Sequence, residues 1–299
     1  MFLPITTAAR RFGFLSACLL LVACALPSFA QEGPLDPAQP KGITPQEIIQ
    51  RFAAKEKDFK EARDDYTYRQ SVKIETLDGD TVDGQYEMVT DVLFDPQGHR
   101  TEQVVYAPQS SLERVQMTQQ DFDDIQNRYP FVLTTDEIPN YNITYVGQQQ
   151  EDELHTYVFD VDPKLTDDEL RKDKKRAFRG RIWVDDHDFQ IVKTFGKPVP
   201  DYHKGQENLF PKFVTYREQI DGKYWFPTYT KADDVLHFEG GRNSFGNDVH
   251  IRIIVRYTNY KRFGAQHKII FQGQEVPDAP DKQQAPPSPQ SSSGDQVPK

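Results

Sequence analysis

The sequence predicts an α+β protein that is mostly β, built on an antiparallel sheet with a few helices. Three observations predict it. Long stretches alternate apolar and polar residues with a period of two, the mark of a sheet with one buried face. Short loops rich in Gly and Asp, such as Leu77-Asp78-Gly79-Asp80, separate these stretches. Loops of that length make hairpins and therefore antiparallel neighbours. Helical signals are few, and each carries its own start or stop residue.

The first element is a helix. Thr44, Pro45 and Glu47 form a capping box with proline at the first helical position. Ile48, Ile49, Phe52, Ala53, Lys57 and Phe59 follow at roughly helical spacing, and the helix is expected to end near Arg63. Strands come next. Tyr66, Tyr68, Val72 and Ile74 alternate with Thr67, Arg69, Ser71, Lys73 and Glu75. Tyr86, Met88, Val92 and Phe94 share one side of the following stretch, and the turn at 95–99 leads into a third, RTEQVVYAP, with Val104. The same alternation recurs at 141–147, 154–162, 179–185, 189–197, 211–220, 223–231 and 233–238. It is clearest at 248–261, where Val249, Ile251, Ile253, Val255 and Tyr257 oppose His250, Arg252 and Arg256. Two further helices are expected, at 118–129, stopped by Pro130, and at 166–178, opened by the capping box of Thr166 and Glu169.

The two ends read differently from the body. Arg10-Arg11, a short apolar run and Ser28-Phe29-Ala30 have the layout of an export signal over 1–30, cleaved after Ala30. Leu21-Val22-Ala23-Cys24 gives a second reading, a lipid on Cys24 and a membrane anchor. Both cysteines lie in this segment, so cleavage after Ala30 leaves no disulfide, thiolate metal site or cysteine nucleophile. Residues 31–42 are rich in Pro and Gly and are expected to be a flexible lead-in. Residues 43–273 are expected to form one domain. The Pro/Ser/Gln tail at 274–299 has too little apolar content to offset its ordering entropy, so disorder is expected. The net charge of −10 disfavours binding to nucleic acid, which needs a basic surface.

The densest polar cluster, Asp185-Asp186-His187-Asp188, sits between two strands. Calcium loops need alternating ligands and a bending glycine, and zinc sites need paired histidines. Neither pattern is present, so the cluster reads as a turn and no metal site is expected. The seven histidines are scattered singly, and no serine sits in a nucleophile elbow. Gly240-Gly241 has no following helix to make a phosphate loop. No cofactor and no catalytic residue are expected, and the chain reads as a non-enzyme. Asp221-Gly222 is a hairpin turn, followed by Tyr224, Trp225, Phe226 and Pro227, an aromatic run that covers a sheet end or lines a ligand wall.

Two hairpins carry a resemblance. Gly180–Lys193 matches the pattern Gly-x-apolar-Trp-apolar-Asp…apolar-x-Lys, and Asp221–Pro227 matches Asp-Gly-x-x-apolar-Pro. In these, and in the order of its parts over 43–263, the chain resembles the LolA/LolB-like superfamily of lipoprotein-sorting proteins. The resemblance implies an incomplete barrel, or half-barrel: a curved antiparallel sheet closed on its concave side by helices over an apolar cavity for acyl chains. The ligand wall it implies draws on Tyr66, Tyr68 and Val72 from the first strand and Met88, Val92, Phe94 and Val104 from the next two. Phe159, Ile182, Val184, Ile191 and Trp225 extend it, and Ile251, Ile253 and Val255 complete it. The carriers also hold their lid with an arginine near the second or third strand, for which Arg100 is the candidate. The implied role is lipid or lipoprotein binding in the periplasm or at the envelope membrane, in lipoprotein sorting. Its partners are a lipid or acylated lipoprotein and a membrane donor or acceptor protein. The alternative is a non-enzymatic envelope interaction or sensor module with a filled core.

Overall fold

A computed structural model describes residues 32–94, 99–127, 129–201, 211–238 and 247–263, together with two short strands further on. The expected export signal, Cys24, the loop with Gly240-Gly241, His203, His267 and most of the tail lie outside the described residues. So do the side chains of Arg100 and Asn127. The chain divides into a unit ending at Phe263 and a second beginning at Gly264. In the second unit Ile270–Phe271 pairs antiparallel with Gln274–Glu275.

The first unit opens with α1 (Pro45–Arg63), β1 (Tyr66–Asp78), β2 (Thr81–Phe94), β3 (Arg100–Tyr106) and α2 (Gln119–Asn127). A 3-10 turn (Ile138–Asn140) precedes β4 (Tyr141–Glu151), β5 (Leu154–Pro163) and α3 (Asp167–Lys172). The remaining strands are β6 (Ala177–Asp185), β7 (Ile191–Val199), β8 (Phe213–Ile220), β9 (Tyr224–Phe238) and β10 (Asn247–Arg262). Ten strands form one antiparallel sheet in the order β3-β2-β1-β10-β9-β8-β7-β6-β5-β4. It does not close, because β3 and β4 are its edges. The last strand pairs with the first, setting Val72 opposite Val255 and Ile74 opposite Ile253.

Three departures from the sequence reading have local causes. The third helix stops at Lys172 rather than 178, with Lys174 in the left-handed region at φ 54°. Ala177 and Phe178 instead begin β6, where pairing with β7 rewards them more than another helical turn. The expected strands at 223–231 and 233–238 are one continuous strand, β9. In α1 the buried stripe runs Ile48, Ile49, Phe52, Ala53, Glu56 and Phe59. Lys57, assigned to that stripe by spacing, points outward and pairs with Asp136 at 3.2 Å. Both expected capping boxes are present, at Thr44/Glu47 and Thr166/Glu169.

The face of the sheet that meets α1 is the inner face. Phe52 and Ala53 of α1 and Ile125 of α2 share one buried cluster with Val72, Phe159, Phe178, Ile182, Ile251, Ile253 and Val255. The edge of β4 is covered by the chain itself. Gly33 N donates to Gln150 O at 2.8 Å, Asp36 N to Gln148 O at 2.8 Å and Gln148 N to Asp36 O at 2.7 Å. The lead-in, expected to be flexible from its Pro and Gly content, is thus hydrogen-bonded at 32–36 as a strap along that edge. An uncovered edge would leave these backbone groups open to other chains. Among the described residues no helix is long and apolar enough to cross a membrane.

Candidate functional site

The structure sends the expected wall residues to different places. Val72, Phe159, Ile182, Val184, Ile191, Ile251, Ile253 and Val255 share the inner-face core with Ile48, Ile49, Phe52 and Ala53 of α1. Tyr66 belongs to a smaller cluster with Phe59 and Phe226, its ring 4.6 Å from that of Phe226. Val92 and Tyr68 line a cavity of about 270 Å³ between the end of α1, α2 and the β1–β2 strands. Met88 and Phe94 are half-buried, and Val104 is 57% exposed on the edge strand. Trp225 packs against Val158, Trp183 and Val192 rather than the main core.

A concavity of about 930 Å³ lies on the outer face over β5–β8. Register builds it. Trp183 faces Lys193, which faces Tyr216; one step along, Arg181 faces Phe195, which faces Val214. These side chains form a floor of aromatic and aliphatic surface, with Phe195 43% and Tyr216 38% exposed. Leu35 and Glu32 of the strap close one side. The rim is charged and internally paired. Arg179 meets Asp162 at 2.6 Å and Asp167 at 3.0 Å, and Arg181 meets Asp160 at 2.7 Å.

Lys193 ties the floor to the strap. It is buried, lies 4.5 Å above the Trp183 ring, and donates to Glu32 at 2.5 Å and Glu151 at 2.9 Å. Burial works against its charge, but the two carboxylates outweigh that and hold its pKa above the usual lysine value. Burial pushes Glu151 up despite the same pairing. Alternation puts Trp183 on the opposite side from Ile182 and Val184, the solvent side of its strand, and that large aromatic out of phase was the available signal.

The 185–188 cluster is a turn that binds itself. One Asp185 carboxylate oxygen accepts from the backbone N–H of His187 at 3.1 Å and of Asp188 at 2.6 Å. Phe189 closes the loop at φ 54°. Asp185, His187 and Asp188 do place ligand-type atoms within 4.8 Å of one another. Their oxygens are engaged, however: Asp188 accepts from Trp225 Nε1 at 3.0 Å, Gln219 Nε2 at 3.0 Å and contacts His187 Nδ1 at 3.2 Å. The Trp225 bond is the main reason the Asp188 carboxyl sits below the usual range. Its contribution to stability is therefore complete above the ordinary carboxylate pKa and is lost as pH falls through the lowered one. Asp188→Ala is expected to cost about 1 kcal/mol, discounted for partial exposure, and to shift tryptophan emission. Replacing Asp186 and His187 together by Ala is expected to leave both nearly unchanged. Chemical denaturation followed by fluorescence reads the contrast.

The arginine that holds a helix to this sheet is Arg217 on β8. Its guanidinium donates to both oxygens of Glu56 on α1 at 2.9–3.2 Å, lies over the face of Phe59 at 5.0 Å and donates to the Phe131 carbonyl. Glu56 also accepts from Ile191 N at 3.3 Å. Both side chains are fully buried. Burial pushes the Glu56 carboxyl up, and Arg217 opposes that shift. Sequence spacing missed the pair because Glu56 reads as a solvent residue until its place on the stripe of 49, 52, 56 and 59 is noticed.

No family model matches the chain, and no curated protein matches it. Among solved structures it is similar to a DUF1329 family protein from Desulfovibrio piger, with 14% identity, 78% of this chain and 96% of the other covered, and a TM-score of 0.35. It is similar to a LolA superfamily protein from Nitrosomonas europaea, with 12% identity, 77% and 98% covered, and a TM-score of 0.30. An outer membrane lipoprotein-sorting protein domain from Vibrio parahaemolyticus gives 11% identity, 74% and 93% covered, and a TM-score of 0.34.

Proposed function

We propose that the chain is a non-enzymatic, exported envelope protein that binds the acyl portion of a lipid or acylated lipoprotein in the outer groove. The observation that carries this reading is the 930 Å³ concavity with an aromatic floor and a charged rim. Ligand pockets are commonly about 300–1,000 Å³ with mostly apolar walls and a few polar groups. Each methylene removed from water contributes about 0.8 kcal/mol, so a dozen give ~10 kcal/mol before ordering costs. Arg179 and Arg181 of the rim are held by carboxylates, which suits walls better than acid–base catalysis. In this reading the sheet is a curved half-barrel whose concave side is occupied by α1 and α2. Residues 1–30 are an export signal, and a membrane donor or acceptor protein supplies and takes the ligand.

The test is lipid co-extraction from envelope-derived protein by native mass spectrometry, with a fluorescent fatty acid as the solution probe. Phe195→Asp in the floor is expected to weaken the probe at least about tenfold, the effect of removing a few kcal/mol of apolar contact, without changing thermal stability. Binding untouched by Phe195→Asp moves the ligand off this groove, and no binding by the unsubstituted protein ends the reading. Intact mass of the mature N-terminus separates cleavage after Ala30 from lipid on Cys24. A second reading, an interaction or sensor module, is supported by the inner-face core, whose expected wall residues are packed against α1.

A further inference from the structure

One cation on the groove is held by an anion that can leave. Lys193 of β7 lines the groove with only 5% of its side chain exposed, its ammonium 4.5 Å from the Trp183 ring and 5.5 Å from that of Tyr216. Its two carboxylate partners differ. Glu151 belongs to β4 and its side chain is 12% exposed. Glu32 comes from the strap, where a single bridge sets it opposite Glu151, and its side chain is 57% exposed. Glu32 therefore reaches a buried lysine from the water side. Its carboxylate can rotate into solvent and be hydrated there, and the ammonium stays behind. Leu35, three residues on, lines the same groove. The strap thus presents the groove with a carboxylate and an aliphatic side chain, the two parts of a charged amphiphile.

We infer that Lys193 is the seat for the negatively charged end of the groove's acyl ligand, and that Glu32 occupies that seat in the free protein. This rests on the acyl reading of the groove and narrows the ligand to an anionic amphiphile. A carboxylate already fits the place, with Lys193 Nζ donating to Glu32 Oε1 at 2.5 Å. A lysine ammonium has three protons to donate, and the one given to Glu151 at 2.9 Å is kept when Glu32 leaves. Exchanging Glu32 for another singly charged anion leaves the charge count around Lys193 unchanged. A neutral end offers the ammonium no charge in return for Glu32. A cationic end competes with Lys193 for the same two carboxylates. The apolar floor starts at this point: Tyr216 pairs with Lys193 across β7 and β8, and Phe195 and Val214 form the next pair. A chain anchored at Lys193 therefore has apolar surface to lie on.

The experiment is calorimetry on the full protein with decanoate, decyl phosphate, decanol and decylamine, each kept below its micelle threshold. At least one of the two anions is expected to bind about tenfold or more tighter than decanol, the effect of a charge-assisted hydrogen bond. Which anion binds tighter tells a free acid from a phosphate ester. Glu32→Gln removes the competitor from an exposed position and is expected to tighten that anion about three- to fivefold, with decanol unchanged. Glu153→Gln removes a charge from the nearby β4–β5 turn, where Glu153 is also exposed, and is expected to change neither. Decanol or decylamine binding as tightly as the anions, and still weakened by Phe195→Asp, overturns the anion seat and leaves the acyl groove standing. Anion binding that Glu32→Gln does not tighten, or that Glu153→Gln tightens equally, overturns the seat as well. No binding by any of the four ends both readings.

Discussion

Glu56→Ala is expected to destabilise the fold by about 3–5 kcal/mol, the usual cost of removing one partner from a buried ion pair. The substitution leaves the Arg217 guanidinium fully buried against Phe59 and the Phe131 carbonyl with no counter-charge. It also frees the Ile191 N–H that Glu56 accepts. The reverse variant, Arg217→Met, strands a carboxyl that burial already pushes upward. With the guanidinium gone, that carboxyl is protonated in the folded state well above its unfolded pKa. Stability in Arg217→Met is thus fullest below the unfolded glutamate pKa and declines as pH rises through the folded one. The double variant Glu56→Leu/Arg217→Met removes both charges and is expected to recover most of the loss. Urea unfolding at several pH values measures all three. A loss under about 1 kcal/mol for Glu56→Ala would mean that the pair is solvated, and α1 would then be held by its apolar stripe alone.

Gly180→Ala is the second large effect, expected near 3 kcal/mol, the upper end of ordinary overpacking. Gly180 pairs directly with Gly196 across β6 and β7. A Cβ on Gly180 would sit 2.2 Å from the Phe195 carbonyl oxygen, 2.6 Å from Gly196 Cα and 2.8 Å from Phe178 Cζ. Two of those atoms are backbone, so the strand pair itself must move. The glycines make room for the Phe178 ring, which stacks on Phe131 at 4.1 Å in the inner core. They also underlie the floor of the outer groove, so the variant is expected to lose both stability and probe binding. Gly222→Ala is the comparison. It meets open space and bears only the cost of φ +71°, about 1–2 kcal/mol. Equal melting temperatures for the two alanine variants would contradict the close approach.

The strands were legible because period-two alternation is a local property. Val249 through Tyr257 alternate in the sequence and stand on one face in β10, and the capping boxes at Thr44 and Thr166 mark real helix starts. The end of the third helix was not legible. Residues 173–178 have helical composition, and only pairing of Ala177 and Phe178 with β7 draws them into a strand. The turn at 185–188 was readable from residue type, since aspartate caps its own backbone. Its capture of Trp225 through Asp188 joins positions 37 apart in sequence, and no local pattern encodes that.

By itself the sequence determined the β-rich class and the hairpin order. Those follow from side-chain periodicity and turn chemistry, which act over a few residues. Tertiary structure alone decided that the apolar face meets α1 and fills, that the larger concavity opens on the opposite face, and that Glu56 finds Arg217. Alternation says which side of a strand is greasy. What lies against that side depends on how ten strands and a helix come together, and that is set by contacts between residues far apart in the chain.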